Sequence, residues 1–349
     1  MNAVLRIIAL LVSLSIFLLL PALASPIEVR TEHAANTVVT TVAHNAMGTT
    51  FHITLLGKRG EDTPDSLTRI AKEAFVAIDA LESRISSWRS DSQTSNVNRY
   101  AFEKPVRVTH SVAAFLLNAQ RLSQETGGAF DCTVGPLIDV WRPSKESGKL
   151  PNEVNLGAAL ARVGFNRVKI DAEERTVRFA NKGVRLDFGA IGKGHALDIA
   201  AEVIAEFGVE IALLDGGAST YLSTGIPPGQ SGWTVRVRHP YNEEEVIAEI
   251  VLGKGAFSTS TNAGSTLVVD GRKYGHILDP RTGWPAQGKR LAMSLTESAA
   301  DADALSTAFY VMDMESIRRY CNDHAEVRAI IVPDNEPNAI RINFDNGEG

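Results

Sequence analysis

The chain has 349 residues, 44% hydrophobic and 22% charged, with a formal net charge of −6. That composition supplies a substantial core and excludes a disordered chain, and the mildly acidic balance argues against nucleic acid as a partner. No internal period indicates a solenoid or propeller, and no Pro/Gly/Ser-rich linker or charge run divides the chain beyond its first 45 residues. One globular, bilobed body is expected.

Arg6 precedes the apolar run Ile7 to Leu20, and Ala22-Leu23-Ala24 stands before Ser25. Charge, apolar stretch and small-residue cleavage site come in secretory order, so residues 1–24 read as a signal peptide and the protein as exported and periplasmic. The run falls short of the roughly 20 residues of a membrane span, although an uncleaved anchor that keeps the protein at the inner membrane remains an alternative. No cysteine near the cleavage site offers a lipid anchor. Residues 25–45 are small and polar and read as a flexible leader to a domain over 46–349. Cys132 and Cys321 are open to pairing in an oxidising compartment, but their separation carries no geometric information.

From Phe51 to Leu55 the sequence alternates like a strand. Leu67, Ile70, Ala71, Ala74, Phe75, Ile78 and Leu81 keep helical spacing, and a second helix is expected from about Ser111 to Gln124, stopped by Gly127-Gly128. Arg167 to Ile170 and Thr176 to Ala180 form an expected hairpin. Arg185 to Phe188 is expected to be a strand entering Gly189-Ala190-Ile191-Gly192-Lys193-Gly194, with a helix then running to about Phe207. Short strands follow at Ile211 to Leu214, Trp233 to Arg238 and Val246 to Leu252, with a hairpin from Thr266 to Leu278 turning at Asp270-Gly271. Ser298 to Asp301 has the form of a capping box for a helix through Asp303, Thr307 and Val311, with Asp301 serving the cap. Helices and strands are mixed without strict βαβ alternation, so the class is α+β.

Several segments carry groups suited to chemistry, and each alone also has an ordinary structural reading. The Gly189 to Gly194 turn opens a helix, where free N–H groups and the dipole favour a phosphate. It is neither a Walker loop nor a dinucleotide fingerprint, and a tight turn with a surface lysine accounts for it as well. Asp303 and Thr307 face the same way one helical turn apart and are hard oxygen ligands suited to Mg²⁺; alone, Asp303 is also a favourable charge near a helix start. His276, where a hairpin strand enters a turn, can move protons near neutral pH or simply be a surface histidine. Asp279 and Thr282 read as turn formers, and Trp88 as a stacking face or a rim aromatic.

In their order these segments resemble the ApbE family, the FAD:protein FMN transferases, from about Met47 to Met312. The matching stretches are Met47-Gly48-Thr49, Ile85-Ser86-Ser87-Trp88 through Asn98, Thr126 to Asp131, Asp187 to Gly194, Leu214-Asp215-Gly216-Gly217, Thr259-Ser260, His276 to Gly283, and Ala302 to Ala308. The resemblance implies a T-fold-like α+β single domain with mixed strands and flanking helices, binding FAD in a cleft between two lobes. It places Met47, Trp88, Ala129, Phe130, Asp131, Asp187, Lys193 and His276 along the flavin nucleotide, and the Ala190 carbonyl, Asp303 and Thr307 around Mg²⁺. Gly192 and His195 stand where many relatives have alanine and tyrosine, which leaves nucleotide contacts around His195 open.

The implied reaction is attack of an acceptor hydroxyl on the FMN phosphorus with departure of AMP, with His276 as the catalytic base. The implied acceptor is a Thr or Ser of an exported redox protein, such as an FMN-binding subunit of a membrane electron-transfer complex. A Mg²⁺-dependent FAD pyrophosphatase and a non-catalytic FAD-binding protein are the competing expectations.

Overall fold

The computed structural model describes residues 29–34, 37–239, 242–262, 266–334 and 338–344. The expected signal segment lies outside them, and among the described residues no helix is long and apolar enough to cross a membrane. In chain order come strands β1 (Val29–Ala34), β2 (Thr37–Ala46) and β3 (Thr49–Lys58), then helices α1 (Pro64–Ile85) and α2 (Gln93–Tyr100). Next are β4 (Val106–Arg107), α3 (His110–Glu125), α4 (Gly135–Ser147), α5 (Glu153–Leu160), β5 (Val168–Asp171), β6 (Thr176–Phe179) and α6 (Gly192–Glu206). They are followed by β7 (Ile211–Gly216), β8 (Thr220–Ser223), β9 (Trp233–His239), β10 (Asn242–Leu252), β11 (Gly255–Ser260), β12 (Leu267–Val269) and β13 (Arg272–Tyr274). The chain closes with β14 (Lys289–Thr296), α7 (Ala299–Val311), α8 (Met314–Asp323), β15 (Arg328–Pro333) and β16 (Ile340–Ile342).

Nine strands make one antiparallel sheet in the order β1-β2-β3-β7-β8-β11-β14-β15-β16. Helices α1, α6 and α7 bury their apolar sides against one face. In α1 these are Leu67, Ile70, Ala71, Ala74, Phe75, Ile78 and Leu81, the set its spacing predicts. The ribbon of β9 and β10 packs on the other face with Phe257, Leu291, Met293 and Leu295. A separate small core of Leu137, Trp141, Leu156, Ala159, Val163, Leu267 and Tyr274 joins α4, α5 and the β12–β13 hairpin, so the body has two lobes.

Three local expectations change. Residues 29–34 and 37–46 are strands of the sheet and not a flexible leader: β2 pairs residue for residue with β3, from Ala46 opposite Thr49 to Thr37 opposite Lys58. Its threonines mask the pattern in composition, yet Val38, Thr40 and Val42 alternate inward and are buried. Arg185 to Phe188 is not a strand. Only a bridge between Val134 and Arg185 forms there, and the Asn98 side chain satisfies Leu186, accepting from its N–H at 2.7 Å and donating to its carbonyl at 3.0 Å. Helix α4 escapes sequence reading because it starts at Gly135-Pro136 and contains Pro143. Burial of Leu137 and Trp141 outweighs that weak propensity. Cys132 and Cys321 are both free and buried.

Candidate functional site

The N-terminal turn of α6 meets the start of α7 at Gly194, where a Cβ would lie 2.0 Å from the Ala299 carbonyl oxygen. Only glycine allows this approach. Through it the Gly194 N–H donates to Asp303 Oδ2 at 3.1 Å. One turn along α6, the Asp198 carboxylate accepts from Ser298 Oγ at 2.8 Å and from the N–H groups of Ala299 and Ala300 at 2.7 and 2.9 Å. Burial pushes the Asp198 carboxyl above the usual range, and these three donors oppose that rise. Ser298 caps α7 as expected, taking the Asp301 N–H at 3.3 Å. The Asp301 side chain does not serve the cap; it pairs with Arg121 at 2.7 Å and accepts from Asn118 at 3.0 Å, because Asp198 already fills the helix start.

Asp303 is only 4% exposed. Its Oδ1 lies 3.6 Å from Lys193 Nζ and receives only long hydroxyl contacts, from Thr220 at 3.3 Å and Ser258 at 3.5 Å. The buried carboxylate thus has the Lys193 ammonium and the Gly194 N–H as its nearest charged and backbone partners. One helical turn on, the Thr307 hydroxyl lies 3.2 Å from Ser260 Oγ. Ala190 occupies the half-buried turn leading into α6. Among the described residues no group of three or more His, Cys, Asp or Glu could hold a metal ion. One carboxylate, one hydroxyl and one peptide carbonyl are oxygen donors only, the set that suits Mg²⁺, which keeps water and substrate phosphate as its other ligands.

Around this junction the expected site residues fall into two groups. Asp187 braces the glycine turn: its carboxylate accepts from Ser87 Oγ at 2.9 Å and the Gly189 N–H at 3.0 Å, and its own N–H donates to the Cys132 carbonyl. Met47, with φ 50°, and Gly48, with φ 75°, make the tight β2–β3 turn, held by Met47 N–H donating to Glu82 at 2.9 Å. Trp88 stands out into solvent, 75% exposed, with the Arg142 guanidinium 4.6 Å from its ring centroid.

Ala129, Phe130 and Asp131 turn inward. Phe130 is a core side chain, and the Asp131 carboxylate is filled by Thr133 N–H and Oγ1, Ser123 Oγ and Phe165 N–H at 2.6–3.2 Å. Four internal donors occupy the lone pairs of this carboxylate, so its side chain shapes the loop. His195 also packs inward: its ring stacks on Phe115 at 4.5 Å, and burial pushes its pKa down to about 4.

His276 follows β13 with its surface open to solvent, but desolvation by the protein around it lowers its pKa below 6.5, aided by the nearby cations of Lys145 and Lys193. It is a neutral base at pH 7. Asn262, buried just past β11, accepts from Ile277 N–H at 3.1 Å and so ties the His276 segment to the strand that carries Ser260. Asp279 shapes the next turn, gripping Arg281 through two side-chain hydrogen bonds of 2.9 Å. Sequence reasoning did not single out Asn262, Asp198, Thr220 or Ser258; only Thr259-Ser260, within a matched stretch, pointed toward β11.

The fold is that of an α+β enzyme, with a buried aspartate and a lysine at the α6–α7 junction. The chain belongs to the ApbE family, whose model matches residues 47–331. A Vibrio cholerae protein named FAD:protein FMN transferase is 29% identical over 273 residues, 77% of this chain and 80% of the relative. A Klebsiella pneumoniae protein of the same name is 26% identical over 297 residues, 83% of each chain. The crystal structure of the ApbE protein of Thermotoga maritima superposes with a TM-score of 0.78 at 28% identity, covering 87% of this chain and 97% of that one. The flavin transferase ApbE of Vibrio cholerae, with a TM-score of 0.74 and 23% identity, shares the fold over 90% of this chain and 97% of its own.

Proposed function

We propose that this chain is a magnesium-dependent FAD:protein FMN transferase that joins FMN through a phosphoester to a Thr or Ser of an exported redox protein and releases AMP. Membership of a family whose curated relatives bear that name supports the reading. The observation that carries it is the buried Asp303 carboxylate beside Lys193 and the amino end of α6. Asp303, Thr307 and the Ala190 carbonyl would hold Mg²⁺, which when bound supplies charge neutralisation of the diphosphate worth several kcal/mol.

The chain's own groups do the rest. Lys193 and the positive end of the α6 dipole draw the diphosphate to the junction, the helix terminus adding about 0.3–1 kcal/mol. Trp88 offers an exposed ring face to a flat heterocycle. His276, neutral at pH 7, accepts the proton of the acceptor hydroxyl as its oxygen bonds to the FMN phosphorus and the bond to the AMP oxygen breaks. Export through residues 1–24 would bring enzyme and acceptor together in the periplasm.

The solvent exposure of His276 favours water as a competing nucleophile, which would make the enzyme an FAD pyrophosphatase. Incubating the mature chain with FAD, Mg²⁺ and a candidate acceptor, and then weighing the acceptor by mass spectrometry, separates the readings. A covalent FMN adduct is expected. Free FMN and AMP with an unmodified acceptor would establish the hydrolase, and intact FAD with every candidate would sink both.

A further inference from the structure

Four hydroxyls link Asp303 to the hydroxyl of Thr307 behind the junction. Thr220 Oγ1 lies 3.3 Å from Asp303 Oδ1 and 2.8 Å from Ser258 Oγ; Ser306 Oγ lies 3.3 Å from Ser258 and 2.9 Å from Ser260; Ser260 lies 3.2 Å from Thr307. Thr220, Ser258 and Ser306 are fully buried, so water cannot reorient them. Each hydroxyl has one hydrogen to give.

An ionised carboxylate only accepts, so a hydroxyl that bonds to it donates. Thr220 and Ser258 both find an acceptor on this side, Asp303 Oδ1 for each and the Ser219 carbonyl at 3.2 Å for Ser258, and Ser258 accepts from Ser306. The alternative acceptor for Ser306 is the Asp303 backbone carbonyl at 3.0 Å. By either route the hydrogen of Ser306 is spent in the interior. With the Ser306 hydrogen placed on either of these, Ser306 accepts from Ser260 at 2.9 Å, and Ser260 in turn accepts from Thr307 at 3.2 Å.

We propose that Ser260 is a positioning residue for the cation site: by taking the Thr307 hydrogen, it leaves the lone pairs of the Thr307 oxygen free to face a divalent cation. The inference rests on the magnesium reading given above. Without Ser260, the Thr307 hydrogen has only the Asp303 carbonyl at 3.4 Å or the cation's own direction. A hydroxyl that points its hydrogen at a cation is a repelled ligand.

The test is calorimetric titration of Mg²⁺ into the full chain with FAD present, for the wild type and for Ser260→Ala, Ser260→Thr and Asp303→Ala. Ser260→Ala is expected to weaken Mg²⁺ binding about 10- to 100-fold, the usual cost of losing a group that orients a ligand. Ser260→Thr, which restores the acceptor, is expected to bind near the wild type. Melting temperatures without Mg²⁺ are expected to stay close together, which separates a loosened ligand from a loosened fold. Should Ser260→Ala prove insoluble, Ser260→Cys keeps the volume, offers only a weak acceptor and is expected to show the same loss. Unchanged Mg²⁺ affinity in Ser260→Ala, alongside lost affinity in Asp303→Ala, would overturn the role of Ser260 alone. Unchanged affinity in Asp303→Ala would overturn the cation site, and this inference with it.

Discussion

At the α6–α7 junction Asp303 is 4% exposed and held by a backbone N–H, a lysine and buried hydroxyls, whereas Trp88 is 75% exposed and His276 meets solvent. The first region is assembled before any ligand arrives: charges and dipoles are fixed by two helices that touch through a glycine. The second keeps surfaces bare for a substrate and an acceptor that must enter and leave. Charge stabilisation gains from rigidity because nothing need reorganise during the reaction. Admission of two large partners gains from openness.

Substitutions at the two regions should therefore differ in kind as well as size. The largest effect is expected from Asp303→Ala, which should cost several kcal/mol of transition-state stabilisation and abolish Mg²⁺-dependent turnover; a magnesium titration of the rate that matches the wild type would refute the ligand assignment. His276→Asn should lower transfer roughly a hundredfold or more while FAD still binds. Because the pKa of His276 is lowered from 6.5 by its crowded surroundings and by Lys145 and Lys193, the neutral form prevails above that value. The wild-type rate should then fall only as pH drops below 6.5, and a pH–rate profile of His276→Asn should lack that acid limb.

Asp198→Ala should lower stability by about 2 kcal/mol, since it strips three hydrogen bonds from the start of α7 and leaves two buried N–H groups unpaired. Thermal unfolding reads this directly, and an unshifted melting temperature would show that Ser298 alone suffices as a cap. The smallest effect is expected at Trp88→Ala. Loss of one exposed stacking face, about 0.5–1.5 kcal/mol, should weaken FAD binding up to about tenfold with little change in the melting temperature. A large stability loss there would mean that the Arg142 contact braces the fold, and the contrast between the regions would fail.

Much of the frame was readable from the chain. The apolar stripe of α1, the turn at Asp270-Gly271 and the Ser298 cap follow from local periodicity and side-chain chemistry, and all three form. Where a segment depends on a distant partner, the reading failed. The Thr/Val alternation of β2 gains its meaning from β3, and Leu186 finds its hydrogen-bond partner in the side chain of Asn98. Asp303 and Thr307 stand in the expected helix, Lys193 at the expected helix start and His276 just past the β12–β13 hairpin. The orientation of Asp131 was not legible, because an aspartate in a glycine turn looks the same whether it faces a ligand or four internal donors.

The sequence by itself determined the local elements, the acidic balance that disfavours nucleic acid, and the ordered motifs that mark the family. Tertiary structure alone decided that Asp198 reaches across to start α7, that Asp301 turns to Arg121, and that strands β8 and β11 supply the hydroxyls beside Asp303. The physical reason is range. Periodicity and capping act over a few neighbouring residues, whereas a buried carboxylate takes its partners from whatever elements packing brings within about 3 Å, and those partners can lie anywhere in the chain.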